Sequence, residues 1–209
     1  MEIIRGIEQG SEEWLALRAG RVTASNFGKV LSGGQGKTRT DYMLQLLAER
    51  LTGAPGESYT NAAMEWGTAT EPQARAVYEL LEGVEVEEVT MLVRDEYVAA
   101  SPDGLLPGGG LELKCPTSKT HVANLVAQAM PATYKPQVQG CIWIAKVDWW
   151  DFASFDPRMP EPAQMMRVRV PRDDDYIAKL ESEVDRFVSE MLDLEARLRG
   201  DVEAVEGAA

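Results

Sequence analysis

Ser101-Pro102-Asp103-Gly104, then Leu105-Leu106-Pro107-Gly108-Gly109-Gly110, then Leu111-Glu112-Leu113-Lys114 is the stretch that decides how this chain reads. From Leu111 to Lys114 apolar and charged residues alternate, the period of a strand with one face in a core. Glu112 and Lys114 then project to one side, and Leu111 and Leu113 to the other. The turn Pro107-Gly108-Gly109-Gly110 folds the chain back, so Asp103 lies on the neighbouring strand opposite the charged face. Two carboxylates and a lysine that converge suit one chemistry. Carboxylate oxygens hold a hard cation, which polarises a phosphoryl group and supplies hydroxide near neutral pH. A lysine beside it can hold and activate the attacking water. The set points to metal-dependent cleavage of a phosphodiester. Short acidic–lysine patterns also occur on solvated strand faces, so the motif alone is weak.

Working outward, the chain has 209 residues, enough for one domain with a full core. It has no apolar run of about 18 residues or more, so no membrane span is expected. Met1-Glu2-Ile3-Ile4-Arg5 has no apolar signal region, so nothing marks the chain for export and a cytoplasmic location is expected. Cys115 and Cys141 make neither a disulfide framework nor a zinc spacing. The single histidine, His121, removes most histidine-based catalysis and reads as a surface or loop residue.

A net charge of −13 argues against a nucleic-acid partner until its distribution is considered. Residues 173–209 hold 12 acidic and 4 basic residues, a net of −8. Basic residues gather instead in the first fifty positions: Arg18, Arg21, Lys29, Lys37 and Arg39. A local basic channel is therefore expected, not a basic protein.

Ser11 reads as an N-cap, with Glu12 and Glu13 in the first turn of a helix and Gly20 beyond its end. A short helix starts near Ser25. Ser32 to Lys37 is a loop without the spacing of a phosphate-cradling P-loop. Helices are predicted over Asp41–Leu51, 68–82, 121–130, 134–146 and 174–199, and strands over roughly 84–94, 97–101, 111–115, Trp149–Phe155 and Met166–Val170. The sum is an α/β (α+β) domain, a central mixed sheet flanked by helices, spanning residues 1–209 with a flexible tail from about 200.

Further residues fit the same chemistry. Glu71 could add a third carboxylate at a metal site, directly or through water. It could equally close a capping box with Thr68. Gln137 could hydrogen-bond the attacking water or be an ordinary surface glutamine. Arg18, Ser25, Ser101 and Lys119 are the equipment for a phosphate dianion, although no spacing brings them together. Arg18 could also be a surface arginine stacked beside Trp14.

Together these pieces resemble the lambda exonuclease and YqaJ-type viral recombinase family of the PD-(D/E)xK nuclease superfamily. The matching elements are Trp14-x-x-x-Arg18-x-Gly20, Thr23-Ala24-Ser25, Trp66-Gly67-x-x-x-Glu71, Ser101-Pro102-Asp103-Gly104, Leu111 to Pro116, Gln137-Val138-Gln139 and Phe155-Asp156-Pro157-Arg158-Met159. They run in the family's order over about residues 7–195. The resemblance implies a restriction-endonuclease-like core and a processive 5′→3′ exonuclease on double-stranded DNA ends. By that likeness Asp103, Glu112 and the backbone carbonyl of Leu113 bind Mg²⁺, two ions per site, with Mn²⁺ able to substitute. Glu71 completes the acidic site, and Lys114 with Gln137 positions the attacking water. Arg18, Ser25, Ser101 and Lys119 bind the 5′-phosphate; at Lys119 the family has arginine, one residue out of register. Met64 sits where the family places an apolar wedge, and Lys37 and Arg39 reach the duplex. The likeness further implies a ring-shaped homotrimer, a single-strand annealing protein as partner, and a phage or prophage origin in a bacterial cytoplasm. Two other readings share these residues: a structure-specific or restriction-like endonuclease, and a catalytically inactive DNA-end-binding module.

Overall fold

The computed structural model describes residues 1–32, 37–56 and 62–200. In chain order its elements are β1 (Glu2–Ile4), α1 (Glu12–Arg18), β2 (Val22–Thr23), a 3-10 turn (Ala24–Asn26), α2 (Phe27–Val30), α3 (Lys37–Thr52) and α4 (Ala62–Glu82). Then follow β3 (Met91–Val93), β4 (Val98–Ala100), β5 (Gly104–Leu106), β6 (Gly109–Lys114), α5 (Ser118–Ala127), α6 (Lys135–Ala145), β7 (Trp149–Phe155), β8 (Met165–Pro171) and α7 (Asp174–Arg199).

The expected single central sheet is two four-stranded mixed sheets, ordered β1-β3-β4-β2 and β5-β6-β7-β8. The chain leaves the first at Ala100 and enters the second at Gly104, so Ser101-Pro102-Asp103 is the joint between them. An isolated bridge, Glu87 to Leu105, also ties the two regions. The strand expected over 84–94 shrinks to Met91–Val93 plus that bridge, because Glu85, Glu87 and Glu88 face solvent. The strand expected to carry Asp103 begins one residue later, as β5 from Gly104, and β1 and β2, with three and two residues, are too short for alternation to show.

In the second sheet β5 and β6 form the expected hairpin, β7 pairs parallel to β6, and β8 runs antiparallel to β7. Gly109 and Gly110 belong to β6 itself and not to the turn. A Cβ on Gly110 would lie 2.3 Å from the Trp150 ring, and one on Gly109 2.5 Å from the Trp149 ring. The glycines are there because β7 lays two indoles across them.

Leu111 and Leu113 pack with Ala74, Tyr78, Val86, Leu106, Ala153 and Phe155 in a core beneath α4. Truncating a leucine so enclosed costs about 2–5 kcal/mol. A larger core joins the first sheet to α2, α3, α6 and α7 through Phe27, Tyr42, Leu46, Ile142, Leu180, Val184 and Phe187. Strand β6 is thus anchored through Leu111 and Leu113 in the core beneath α4.

The helices mostly fall where expected. Ser11 caps α1, its hydroxyl accepting from the Trp14 N–H at 3.2 Å. Asp173 caps α7 in the same way, and Gly200 closes it with a φ of +77°. Three readings are corrected. The helix predicted from residue 68 begins at Ala62, so Thr68 lies in its interior and the capping box with Glu71 does not exist. The helix predicted from Asp41 begins at Lys37 and carries Arg39 inward. His121 is no surface residue: it is fully buried on α5, its Nδ1 2.8 Å from the Ser154 hydroxyl and its Nε2 2.8 Å from the Ala163 carbonyl. Residues 33–36 of the expected loop and the expected tail from 201 onward lie outside the described residues. Among those residues no helix is long and apolar enough to cross a membrane.

Candidate active site

Glu112 sits in the middle of β6, fully buried. Its Oε1 accepts from Lys114 Nζ on the same face of the strand, and from Gln137 Nε2 at 2.6 Å on α6. Asp103, just ahead of β5, accepts the Leu113 N–H at 2.6 Å through Oδ2. The hairpin therefore does what its pattern predicts: it sets an aspartate beside an E-x-K strand. Glu71 approaches from α4, where its Oε1 accepts from Arg75 Nη2 at 2.7 Å. Arg75 also bonds Glu88 at 2.7 Å, which steadies it between two carboxylates.

These carboxyls resist ionising together. Burial pushes Glu112 up to about 7, with Asp103 and Glu71 adding to the rise against the pull of Lys114. Glu71 is likewise pushed up to about 7, by desolvation first and then by Asp103. Asp103 is raised by desolvation, opposed by Lys114 and the Leu113 N–H. Burial disfavours the charged Lys114, yet Glu112 and Asp103 outweigh it and hold the ammonium well above its ordinary range.

The residues fit a hard cation. Glu112 Oε2 is buried and accepts no hydrogen bond among the described residues. An unpaired carboxylate oxygen in such a place needs a partner, and a divalent ion is one. No three Asp, Glu, His or Cys side chains among the described residues converge tightly enough to hold an ion unaided. Two carboxylates completed by a main-chain carbonyl and water match that limit. All-oxygen donors favour Mg²⁺ or Mn²⁺ over zinc.

A second constellation forms at the joint between the sheets. Arg18, the last residue of α1, donates to the Ser101 hydroxyl at 3.1 Å, to Thr23 at 3.2 Å and to Ser25 at 3.4 Å. Its guanidinium also stacks on Trp14, 4.3 Å from the ring centre, while the indole N–H donates to Ser101 at 3.1 Å. Arg18 is therefore both stacked beside Trp14 and aimed at hydroxyls, with no carboxylate paired to it among the described residues. Desolvation lowers its pKa from the ordinary arginine value. Spacing alone could not assemble this group, because α1, the 3-10 turn and the β4–β5 joint meet only in three dimensions. Thr23 was the unnoticed member; its signal was a hydroxyl two residues from Ser25.

The remaining predicted residues separate. Met64 is exposed on the first turn of α4, and Lys37 is exposed at the start of α3. Lys119 is exposed on the first turn of α5 and has no bond to the Arg18 group among the described residues. Arg39 is not presented to solvent as a duplex contact would be. It is buried, bonds Glu190 at 2.8 Å and lies 4.9 Å over the Phe187 ring, tying α3 to α7.

Residues 13–148 match the family model of the YqaJ-like viral recombinase domain. The alkaline exonuclease LHK-Exo of Laribacter hongkongensis is 36% identical, with a TM-score of 0.85 over 91% of this chain and 97% of its own. A second structure of LHK-Exo, in complex with dAMP, aligns equally well. A phage related exonuclease of Haemophilus somnus 129PT, 15% identical, shares the fold with a TM-score of 0.64 over 88% of this chain and 96% of its own. The Escherichia coli (strain K12) protein ExoD is 33% identical over 64 residues, 31% of this chain and 72% of ExoD.

Proposed function

The chain belongs to the YqaJ-like viral recombinase family and is a nuclease, and from that premise we propose a Mg²⁺-dependent 5′→3′ exonuclease on double-stranded DNA. The observation that carries this reading is the shortness of the joint between the sheets. Ser101 belongs to the arginine pocket and Asp103, two residues on, to the acidic cluster. A pocket suited to a terminal phosphate thus stands beside a cluster suited to cutting the phosphodiester. That pairing favours attack from a 5′-phosphorylated end.

Bound by Asp103, Glu112 and the Leu113 carbonyl, Mg²⁺ would polarise the scissile phosphoryl group and ease deprotonation of water. Lys114 and Gln137 both donate to Glu112 Oε1, so a water lying there meets two donors that orient it for in-line attack. Glu71 adds a carboxylate at the edge of the same site. Arg18, with Thr23, Ser25 and Ser101, would dock the 5′-phosphate, since a guanidinium and hydroxyls together suit that dianion. Met64 would part the end base pairs. A 5′-mononucleotide product is supported by the dAMP held in LHK-Exo. Processive action by a ring-shaped homotrimer, handing its 3′ strand to an annealing protein, completes the reading; sedimentation velocity tests the trimer.

Digestion of linear duplex with end-labelled strands, with and without a 5′-phosphate, tests the core of it. Mg²⁺-dependent release of the 5′ label as mononucleotide, faster from phosphorylated ends, is expected. Cutting of a covalently closed circle would point instead to an endonuclease. No release under any divalent cation would leave an end-binding module.

A further inference from the structure

Two segments of the sequence, Trp66-Gly67 and Phe155-Asp156-Pro157-Arg158-Met159, take no part in either constellation above. In the fold they meet. The Arg158 guanidinium lies 4.3 Å from the Trp66 ring centre. Its edge grips Asp156, with Nε to Oδ1 at 2.7 Å and Nη2 to Oδ2 at 2.9 Å, while the Arg158 N–H donates to Oδ1 at 3.0 Å. Asp156 is fully buried just past β7 and also accepts from Ser118, the first residue of α5. The Trp66 N–H is buried and makes no hydrogen bond among the described residues, so the charged group that meets the indole does so at its ring.

Trp66 lies in the first turns of α4, and these turns have a special mechanical position. Beyond them, Ala74 and Tyr78 sit in the core, and the Tyr78 hydroxyl donates to Asp151 at 2.7 Å. Between the two stretches stands Pro72, inside the helix. Proline has no N–H to give the Thr68 carbonyl, so the ladder is broken there and the first turns couple weakly to the anchored half. Those same turns carry Met64 and end on Glu71.

We propose that Asp156, Arg158 and Trp66 form a clip that positions the first turns of α4, and through them Met64 and Glu71, over the catalytic strand. The inference rests on the exonuclease reading for its kinetic consequence but not for its structural one. The buried carboxylate fixes the fork, the fork presents a flat cation, and the cation fixes the indole. Arginine is needed, because a lysine ammonium cannot grip a carboxylate bidentately and lie flat on a ring at once.

The test uses the full chain with Arg158→Ala, Arg158→Lys and Trp66→Leu. Hydrogen exchange of the amides from Met64 to Glu71 should speed up by about tenfold in all three variants, and in Trp66→Leu, which leaves the buried Asp156 paired, the midpoint of global unfolding should change little. On phosphorylated duplex ends with Mg²⁺, kcat should fall by about tenfold while KM stays within about twofold, as expected for a misplaced group. Unchanged exchange in Trp66→Leu would overturn the clip. So would full activity in Arg158→Lys, or a rise in KM that steepens with salt, since either marks Arg158 as a phosphate contact. If the wild-type chain released no nucleotide, the exonuclease reading would fall, and the exchange experiment would still judge the clip.

Discussion

The acidic cluster around Glu112 and the pocket around Arg18 lie two residues apart along the joint, yet their electrostatics are reversed. The cluster gathers Asp103, Glu112 and Glu71 against one lysine; desolvation raises all three carboxyls, and one oxygen of Glu112 has no donor among the described residues. The pocket sets one guanidinium among neutral direct partners, three hydroxyls and an indole, with the buried Glu49 carboxylate acting on it only from farther off. One site has surplus negative charge and would be relieved by a cation. The other has surplus positive charge and would be relieved by an anion. A phosphorylated DNA strand with its divalent ion supplies both. Under the proposed function the difference teaches that binding and cutting would be separable, although a single loop carries a residue of each region.

The largest expected effect breaks the cluster alone. Asp103→Asn should lower nucleotide release by about 10³-fold or more while the folded state persists, since it removes a carboxylate from the ion and from the reacting unit together. Near-normal release from a folded Asp103→Asn protein, followed by end-label assay, would end the assignment. Next, Arg18→Ala should cost about 10- to 100-fold on 5′-phosphorylated ends, the scale of losing hydrogen bonds to a charged group. Ends bearing a 5′-hydroxyl should hardly respond. An equal loss on both ends would show that the pocket is not selective for phosphate.

A smaller effect distinguishes the two regions by pH. Glu112 and Glu71 titrate near an ordinary 4.5 when unfolded and at about 7 when folded. The folded chain then holds protons that the unfolded chain has released, so stability falls as pH rises from about 4.5 to about 7. Thermal midpoints of chelator-treated protein should drop across that window, and saturating Mg²⁺ should flatten the drop. Glu112→Gln should also flatten it, whereas Arg18→Ala should leave it intact. The smallest effect belongs to Ser25, whose bond to Arg18 is long at 3.4 Å and whose side chain is exposed. Ser25→Ala should slow phosphorylated ends by about twofold, measured in the same end-label assay, because a weak exposed hydrogen bond contributes well under 1 kcal/mol.

Much of the cluster could be read from the sequence because its geometry is local. An E-x-K alternation fixes a face, and a proline–glycine turn returns the chain within a few residues. The pocket was beyond such reading, since its hydroxyls reach Arg18 from separate elements; family resemblance, not periodicity, had grouped them. Arg39 shows the opposite failure. It sits three, four, seven and eight residues before Tyr42, Met43, Leu46 and Leu47, on the buried stripe of α3, and that spacing was available. Charge alone points it outward, whereas its phase turns it inward. His121 misled similarly, being in phase with buried Asn124 on α5. Thr68 and Glu71 fit a capping pattern that lost its meaning once the helix began six residues earlier.

The parallel pairing of β6 with β7 carries a further implication, for the order of events during synthesis. Every residue of the acidic cluster is made before α5, α6 and β7 exist, and Gln137 lies within the crossover that must wrap round before β7 can dock. Non-local pairing of this kind comes late in folding. A chain emerging at roughly 5–20 residues per second would pass several seconds with Asp103 and Glu112 outside the ribosome but unframed. The enzyme should therefore be silent until its second sheet closes, and fragments ending before β7 should be harmless to the DNA around them.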